Sequence, residues 1–293
     1  MSKVWLITGS ASGLGRNIAE AVLAMGDPLV ATARDPRRLE DLVQKYGHQI
    51  RTAPLDVADE EAAKAAVELA VHAFGRLDVL VNNAGYGDIA PFEQLSPERF
   101  KAVMDTNFYG VVNLTRAALP VMRKQKSGVI LQVSSVGGRV TRPGNSPYHA
   151  AKWAVGGFTE SLAQEAAPFG VKLCALEPGG IRTNWGKRAN QNMPELIPDY
   201  EPSVGAFTNA YKSYWGRENS DPAKVAQVIL QLAYSNNLPA HLLLGSDAVQ
   251  HAARAQAARE ADAERWHDVS VSTDADAKAH ANPSSTATVK ASA

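Results

Sequence analysis

A rhythm constrains this chain more than any other feature: seven short apolar runs, each separated from the next by a longer amphipathic stretch, from the first residues to about residue 245. The runs are Val4–Thr8, Leu29–Ala33, Ile50–Leu55, Val79–Asn82, Val129–Val133, Val171–Leu176 and His241–Leu244. Short apolar runs bounded by turn residues read as strands buried on both faces, and the stretches between them read as helices crossing back over the sheet. The expectation is α/β: a single doubly wound parallel sheet of about seven strands with helices on both faces. A chain of 293 residues can bury such a core in one domain.

Helix punctuation agrees with that rhythm. Asp35 can cap a helix with Pro36 at its first position; Leu39, Leu42, Val43 and Tyr46 recur on one face, and Gly47 ends it. Ser96-Pro97 opens a helix expected to run through Asn107 toward Leu119, Asp221-Pro222 opens another, and Gly75 closes the one before Val79. Residues 184–220 break the pattern. They are rich in Pro, Gly, Asn and aromatics (Trp185, Tyr200, Phe207, Tyr211, Tyr214, Trp215) and too long for an ordinary connection, so they read as a lid or substrate loop. From about Val271 large apolar side chains nearly vanish, and burial cannot offset the entropy of ordering. The expected organisation is one domain over 1–270 and a disordered tail over 271–293.

Composition excludes several function classes. The 30 Lys+Arg balance 30 Asp+Glu, which removes the electrostatic case for nucleic acid or an anionic membrane as partner. Lone Cys174, in an apolar run, cannot form an internal disulfide or a cysteine-based zinc site and suits a reducing compartment. His149 lacks a His, Asp or Glu at ligand spacing, so no metal site is expected. No segment approaches the length needed to span a bilayer; the expectation is a cytoplasmic protein.

The chemistry begins at Thr8-Gly9-Ser10-Ala11-Ser12-Gly13-Leu14-Gly15, directly after the first run and before a helix whose Ile18, Ala19, Val22 and Leu23 share a face. Glycines there let the backbone turn sharply and approach a pyrophosphate, whose charge the amides and dipole of the helix start stabilise. A loop of this kind also serves as a merely structural turn. Its spacing, Gly-x-x-x-Gly-x-Gly, resembles that of classical short-chain dehydrogenases/reductases, and further motifs follow in that family's order. They are Asp56-Val57, Asn82-Asn83-Ala84-Gly85, Asn107, Ser134-Ser135, Tyr148-His149-Ala150-Ala151-Lys152 and Pro178-Gly179, covering about residues 3–245. The resemblance implies a Rossmann-type fold, a nicotinamide dinucleotide and oxidoreduction of CH–OH groups. Leu242-Leu243-Leu244-Gly245-Ser246-Asp247-Ala248 passes into a charged helix extending toward Trp266, closer to carbonyl-reductase-like or hydroxysteroid-dehydrogenase-like members with a C-terminal extension. A homodimer through the helices starting near Pro97 and Pro147 is implied by the family in place of its common tetramer.

Tyr148 and Lys152 lie four apart on one face of an expected helix. A free phenol titrates near pKa ~10, and a nearby ammonium favours the phenolate, so the pair makes a general acid/base; a surface helix pair is the bland alternative. By resemblance Ser135 orients the carbonyl oxygen, with Ser134 as its less suited neighbour and a strand-end cap as its bland role. Asn107 is a poor choice for a helix interior. The resemblance gives it a water and proton relay to the lysine, against the alternative of a buried, satisfied amide.

The resemblance assigns the cofactor contacts to Gly9, Ser10, Ser12, Gly13, Leu14 and Gly15, with Asp56 and Val57 at the adenine. Asn83, Ala84 and Gly85 follow along the ribose, Asn107, Tyr148, Lys152, Pro178 and Gly179 toward the nicotinamide, and Ile181 and Thr183 at its carboxamide. At the end of the second run a carboxylate selects NAD and a cation NADP. Ala33 holds the position usually acidic in NAD-preferring relatives, Arg34 follows it, and Arg37 and Arg38 are close behind, which favours NADP(H). A register slip that put Asp35 at the ribose would give NAD(H) instead.

The expected substrate is a small carbonyl or alcohol compound, apolar or cyclic if the aromatics of 184–220 line its pocket; the same aromatics serve equally to pack the loop down. A non-catalytic dinucleotide sensor needs no proton donor, and the four candidate catalytic residues argue against one. A serine hydrolase would need Gly-x-Ser-x-Gly, which neither Ser135 nor Ser146 supplies.

Overall fold

The computed structural model describes residues 2–275. Its strands are β1 (Trp5–Ile7), β2 (Leu29–Ala33), β3 (Ile50–Pro54), β4 (Val79–Asn82), β5 (Gly128–Val133), β6 (Val171–Pro178) and β7 (His241–Leu244). All pair in parallel, in the order β3-β2-β1-β4-β5-β6-β7. The direction of winding reverses between β1 and β4, and a crevice opens beyond the carboxyl ends of the strands there. Each expected run forms a strand, with ends shifted by at most two residues.

The helices are α1 (Gly13–Ala24), α2 (Glu40–Tyr46), α3 (Glu60–Phe74), α4 (Pro97–Met104), α5 (Gly110–Gln125), α6 (Ser146–Ala166), α7 (Trp185–Ala189), α8 (Ala206–Lys212), α9 (Pro222–Tyr234), α10 (Ser246–Arg265) and α11 (His267–Val271). Successive strand side chains point to opposite faces, so Trp5, Ile7, Val79 and Val81 pack with Ile18 and Val22 of α1 and Ile229 of α9. Leu6, Leu80 and Ile130 pack on the other side with Ala66 of α3 and Leu114 and Met122 of α5. Ser96, Asp221 and Asp59 cap helices through side-chain bonds to backbone N–H groups, and Gly75 ends α3 in the left-handed region.

Three expectations change. The helix opened by Pro97 does pass Asn107, but as a π turn, Asp105–Tyr109, inserted between α4 and α5. Residues 184–220, read above as a lid or substrate loop, hold α7, α8 and a π turn at Glu201–Gly205, with Trp185, Leu196 and Tyr200 packed around Ile89, Ala189 and Val204. The compact unit that carries the sheet is Met1–Ala252, and a second unit begins at Ala253, within α10. α11 carries helix as far as Val271, and the rest of the expected tail from residue 276 lies outside the described residues. Among the described residues no helix is long and apolar enough to cross a membrane.

Candidate active site

The floor of the crevice is the turn from β1 into α1. Gly9 and Gly13 have φ of +69° and +58°, a region that L side chains rarely enter. Gly15 is needed for a different reason: a Cβ there would run into the Gly9 carbonyl oxygen and the Asn83 side chain. Buried Thr8 fixes this turn against the end of β4, its Oγ1 accepting from the N–H groups of both Asn83 and Ala84 at 2.9 Å, while Asn83 Nδ2 donates to the Thr8 carbonyl at 2.8 Å. At the start of α1, Ser12 makes no capping bond to the helix. Its Oγ instead accepts from Arg188 Nη1 of α7 at 3.3 Å.

Around this floor lies a cavity of about 1260 Å³. Every expected site residue but one lines it: Gly9, Ser12, Gly13, Leu14, Gly15, Arg34, Asp56, Val57, Asn83, Ala84, Gly85, Asn107, Ser135, Tyr148, Lys152, Pro178, Gly179, Ile181 and Thr183. Ser10 is the exception. It is fully buried and its hydroxyl donates to the Ile7 carbonyl at 2.9 Å, so the strand, not the cavity, uses it. Asp35 accepts from Arg37 through both backbone N–H and guanidinium, as a cap does. Arg34 is exposed on the cavity rim.

The four candidate catalytic side chains meet at the carboxyl ends of β4 and β5. Ser135, just past β5, accepts from Gly137 N–H at 2.9 Å, and its hydroxyl lies near enough to the Tyr148 phenol, from the first turns of α6, to favour the ionised form of that phenol. Tyr148 is 9% exposed, and burial pushes its pKa up to about 12, partly offset by Ser135. Lys152 does not contribute the lowering expected of it: its ammonium stands 5.6 Å from the phenol ring centroid and donates to the Val133 carbonyl at 2.8 Å. Burial lowers Lys152 to about 8. Ser134, also buried, turns away and donates to the Lys152 carbonyl at 3.3 Å.

Asn107 is fully buried, and both its Nδ2 hydrogens are committed, to the carbonyls of Tyr86 and Val103 at 2.9 Å each. Its Oδ1 accepts from Tyr86 N–H at 3.2 Å. The side chain is thus a satisfied amide that holds the Gly85-Tyr86 turn, and the π turn is what aims it there. A Cβ on Gly85 would lie 2.6 Å from Asn107 Oδ1 and 3.7 Å from Lys152 Nζ, so the bare backbone keeps this corner open.

Because its folded pKa is depressed, Lys152 favours the unfolded state, which holds the proton longer, and that bias fades as pH rises. Between about 8 and the ordinary lysine range, the stability of wild type is expected to rise relative to Lys152→Met. Urea unfolding of both proteins across that window checks it; parallel curves would mean the ammonium is not buried as described.

Several site residues escaped the sequence. His149 is no metal ligand: its Nε2 accepts from Arg142 N–H at 2.9 Å, which leaves Nδ1 to donate to the Gly137 carbonyl at 2.9 Å. Burial lowers its pKa, and as a neutral ring it braces the Ser135 turn against α6. Trp185 places its ring 5.0 Å from that of Tyr148, and Phe207, Tyr211 and Tyr214 line the same cavity, whereas Trp215 and Tyr200 pack the segment itself. The aromatics therefore divide between the two uses. Glu218, 4% exposed, also reaches the cavity. A lone Glu or Arg in a segment without periodicity carries no signal that would single it out. Among the described residues no cluster of metal-binding side chains occurs.

Comparison with known proteins fits this geometry. The family model described as short chain dehydrogenase matches residues 3–194. Oxidoreductase BOA17 of Botryotinia fuckeliana is 45% identical over 93% of this chain and all of its own. A 3-ketodihydrosphingosine reductase of Bacteroides thetaiotaomicron is 34% identical over 83% of this chain and 88% of its own. A solved short-chain dehydrogenase from Streptomyces avermitilis superposes with a TM-score of 0.87 at 38% identity, covering 94% of this chain and all of that one. Two more distant structures, each 26% identical, hold dinucleotides. One, from Burkholderia phymatum, is in complex with NAD (TM-score 0.72; 83% of this chain, 88% of that one). The other is an alcohol dehydrogenase from Thermococcus sibiricus with 5-hydroxy-NADP (TM-score 0.68; 84% and 97%). With the parallel sheet, the glycine turn and the clustered Ser135, Tyr148 and Lys152 already in place, these matches make the chain a member of the classical short-chain dehydrogenase/reductase family, an NAD(P)-dependent oxidoreductase.

Proposed function

We propose that the protein is an NADP(H)-dependent carbonyl reductase, running as an alcohol dehydrogenase in reverse, with Tyr148 as its general acid/base. One observation carries the reading: a buried phenol with Ser135 beside it and a buried ammonium 5.6 Å from its ring opens into the cavity whose floor is the glycine turn. The Bacteroides relative, named as a reductase of a 3-keto compound, supports the direction.

The cradle fits a nicotinamide dinucleotide, since Gly9, Gly13 and Gly15 bring backbone without side chains to the cavity wall at the start of α1, whose first turn holds no acidic residue. Gly13, Leu14 and Ser12 would hold the pyrophosphate, and Ile181 and Thr183 the carboxamide. When bound, the cofactor supplies the hydride in reduction and accepts it in oxidation. Ser135, which lines the cavity with Tyr148, would hold the carbonyl oxygen. Tyr148, protonated at neutral pH, then donates its proton to that oxygen. Lys152 would turn from the Val133 carbonyl toward the ribose hydroxyls and keep a positive charge beside the phenol. Exposed Tyr109 and Trp153, on the long helices opened by Pro97 and Pro147, support a homodimer through them.

The choice of NADP(H) rests on which charges are spoken for. Asp35, the carboxylate that could take a ribose hydroxyl, is held by Arg37. Arg34 and Arg38 line the cavity and, among the described residues, enter no ion pair. Arg38 also joins Arg182, Lys187 and Arg188 around an adjoining cavity of about 920 Å³ beside Ser12 and Gly13, a basic surround suited to phosphate. A panel of aldehydes, diketones and cyclic ketones assayed by loss of NADPH absorbance, with NADH in parallel, tests the reading; turnover with neither cofactor would end it. Arg34→Ala should weaken NADPH binding by about ten- to a hundred-fold, the value of charge-assisted hydrogen bonds, and leave NADH binding alone. Equal losses in a fluorescence titration would contradict the phosphate role.

A further inference from the structure

Among the described residues, Glu218 holds a buried carboxylate oxygen without a partner. Its side chain is buried to 4% exposure and borders the same cavity as Tyr148, yet its Oε2 has no hydrogen bond. The position is not loose. Ser220 N–H donates to the Gly180 carbonyl at 2.9 Å, Arg182 N–H to the Ser220 carbonyl at 3.0 Å, and Arg182 Nε to the Glu218 carbonyl at 2.8 Å. These bonds lash the stretch around Glu218 to the turn after β6. Gly180 completes the fit: a Cβ there would lie 3.2 Å and 3.3 Å from Glu218 Cβ and Cγ, so the carboxylate's stem runs along bare backbone.

Two neighbouring polar groups are engaged elsewhere. Arg182 spends its Nε on the backbone carbonyl, and the Tyr214 hydroxyl donates to Asn219 Oδ1 at 2.8 Å. Asp247, on the same cavity wall, accepts from Gly180 N–H through Oδ2 and leaves its own buried Oδ1 unpartnered. Among the described residues this wall thus carries two unpartnered carboxylate oxygens, and the segment's one unpartnered buried side-chain donor is Trp215 Nε1. Tyr211 is sensitive to the charge of both Tyr148 and Glu218, which puts the wall within short electrostatic range of the proton donor.

We propose that Glu218 recognises a hydrogen-bond donor, an ammonium in preference to a hydroxyl, on the carbonyl substrate; the proposal rests on the reductase reading above. A buried acceptor left unmade is costly, and a cation best repays the desolvation of a carboxylate. The glutamate lies beyond residue 194, where the family model ends.

The test is a series of ring ketones sharing one skeleton and bearing no substituent, a hydroxyl or an amine, reduced by the full-length enzyme at saturating NADPH. Wild type is expected to favour the amino ketone over the unsubstituted one by about ten-fold or more in kcat/KM, carried by KM, with the hydroxy ketone between. Glu218→Gln, close in shape, should collapse that ratio. A wild-type enzyme that prefers the unsubstituted ketone overturns the proposal without need of the variant. So does a Glu218→Gln protein that binds NADPH more weakly in calorimetry yet keeps the ketone preference, since the carboxylate would then serve the cofactor. If no ketone is turned over, the reductase reading fails by itself. Calorimetric binding of the amino ketone then decides Glu218 separately: binding to wild type but not to Glu218→Gln supports it, and equal binding sinks it.

Discussion

Tyr148→Phe is expected to lower kcat for carbonyl reduction by about 10²–10⁴-fold, the range that a positioned general acid contributes, while NADPH still binds. Phenylalanine keeps the ring that packs against Trp185 and removes only the hydroxyl. The pH dependence has a definite sign. With the phenol pushed up to about 12, its proton is present throughout the neutral range, so reduction should be insensitive to pH there. Oxidation needs the phenolate and should speed up toward alkaline pH until Lys152, lowered to about 8 in the free protein, loses the charge that supports it. Steady-state rates in both directions, with a calorimetric NADPH titration of the variant, check both statements. Equal turnover by wild type and Tyr148→Phe would remove the proton donor from the reaction.

Gly15→Ala is expected to be nearly as damaging, by a different route. The added methyl meets the Gly9 carbonyl oxygen and the Asn83 amide, and Asn83 is itself tied to Thr8, so neither can give way without moving the turn that forms the floor. Overpacking of this kind costs about 1–3 kcal/mol of stability, and a displacement of the order of 1 Å at a binding surface costs roughly 10²-fold in function. Dinucleotide affinity by calorimetry and thermal unfolding of the variant should both fall. An alanine variant with wild-type affinity would show that the turn is not the seat of the pyrophosphate. Gly157 provides the contrast, since a Cβ there meets nothing within 4 Å, and Gly157→Ala should bind the dinucleotide as wild type does.

What could be read from the sequence was whatever local physics decides. Strand positions follow from apolar runs bounded by turns, and the glycine turn from residues that only tight backbone requires. The lone exception in that turn, Ser10, belongs to the motif by sequence but is claimed by the Ile7 carbonyl, a choice set by which way the chain pleats as it leaves β1. Long-range partners were not legible. Thr8 gives no hint that it accepts from residues 75 and 76 positions away, and His149 sits in a motif that says nothing of Arg142 or Gly137. Residues 184–220 misled because their Pro, Gly and Asn are loop signals, while aromatic packing around Ile89 and Val204 draws them into short helices. Asn107 was conspicuous as a poor helix residue, but only the π turn explains how the helix admits it.

The double acceptance at Thr8 has a consequence for how such an enzyme changes over time. With the strands on either side of the winding reversal joined beyond their ladder by one hydroxyl, the floor beneath the redox partner is built from β1, β4 and their turns, and the helical insertion above reaches it through Arg188. New preferences for what is reduced can then arise by rewriting that insertion alone, much as an instrument takes a different head on an unchanged handle.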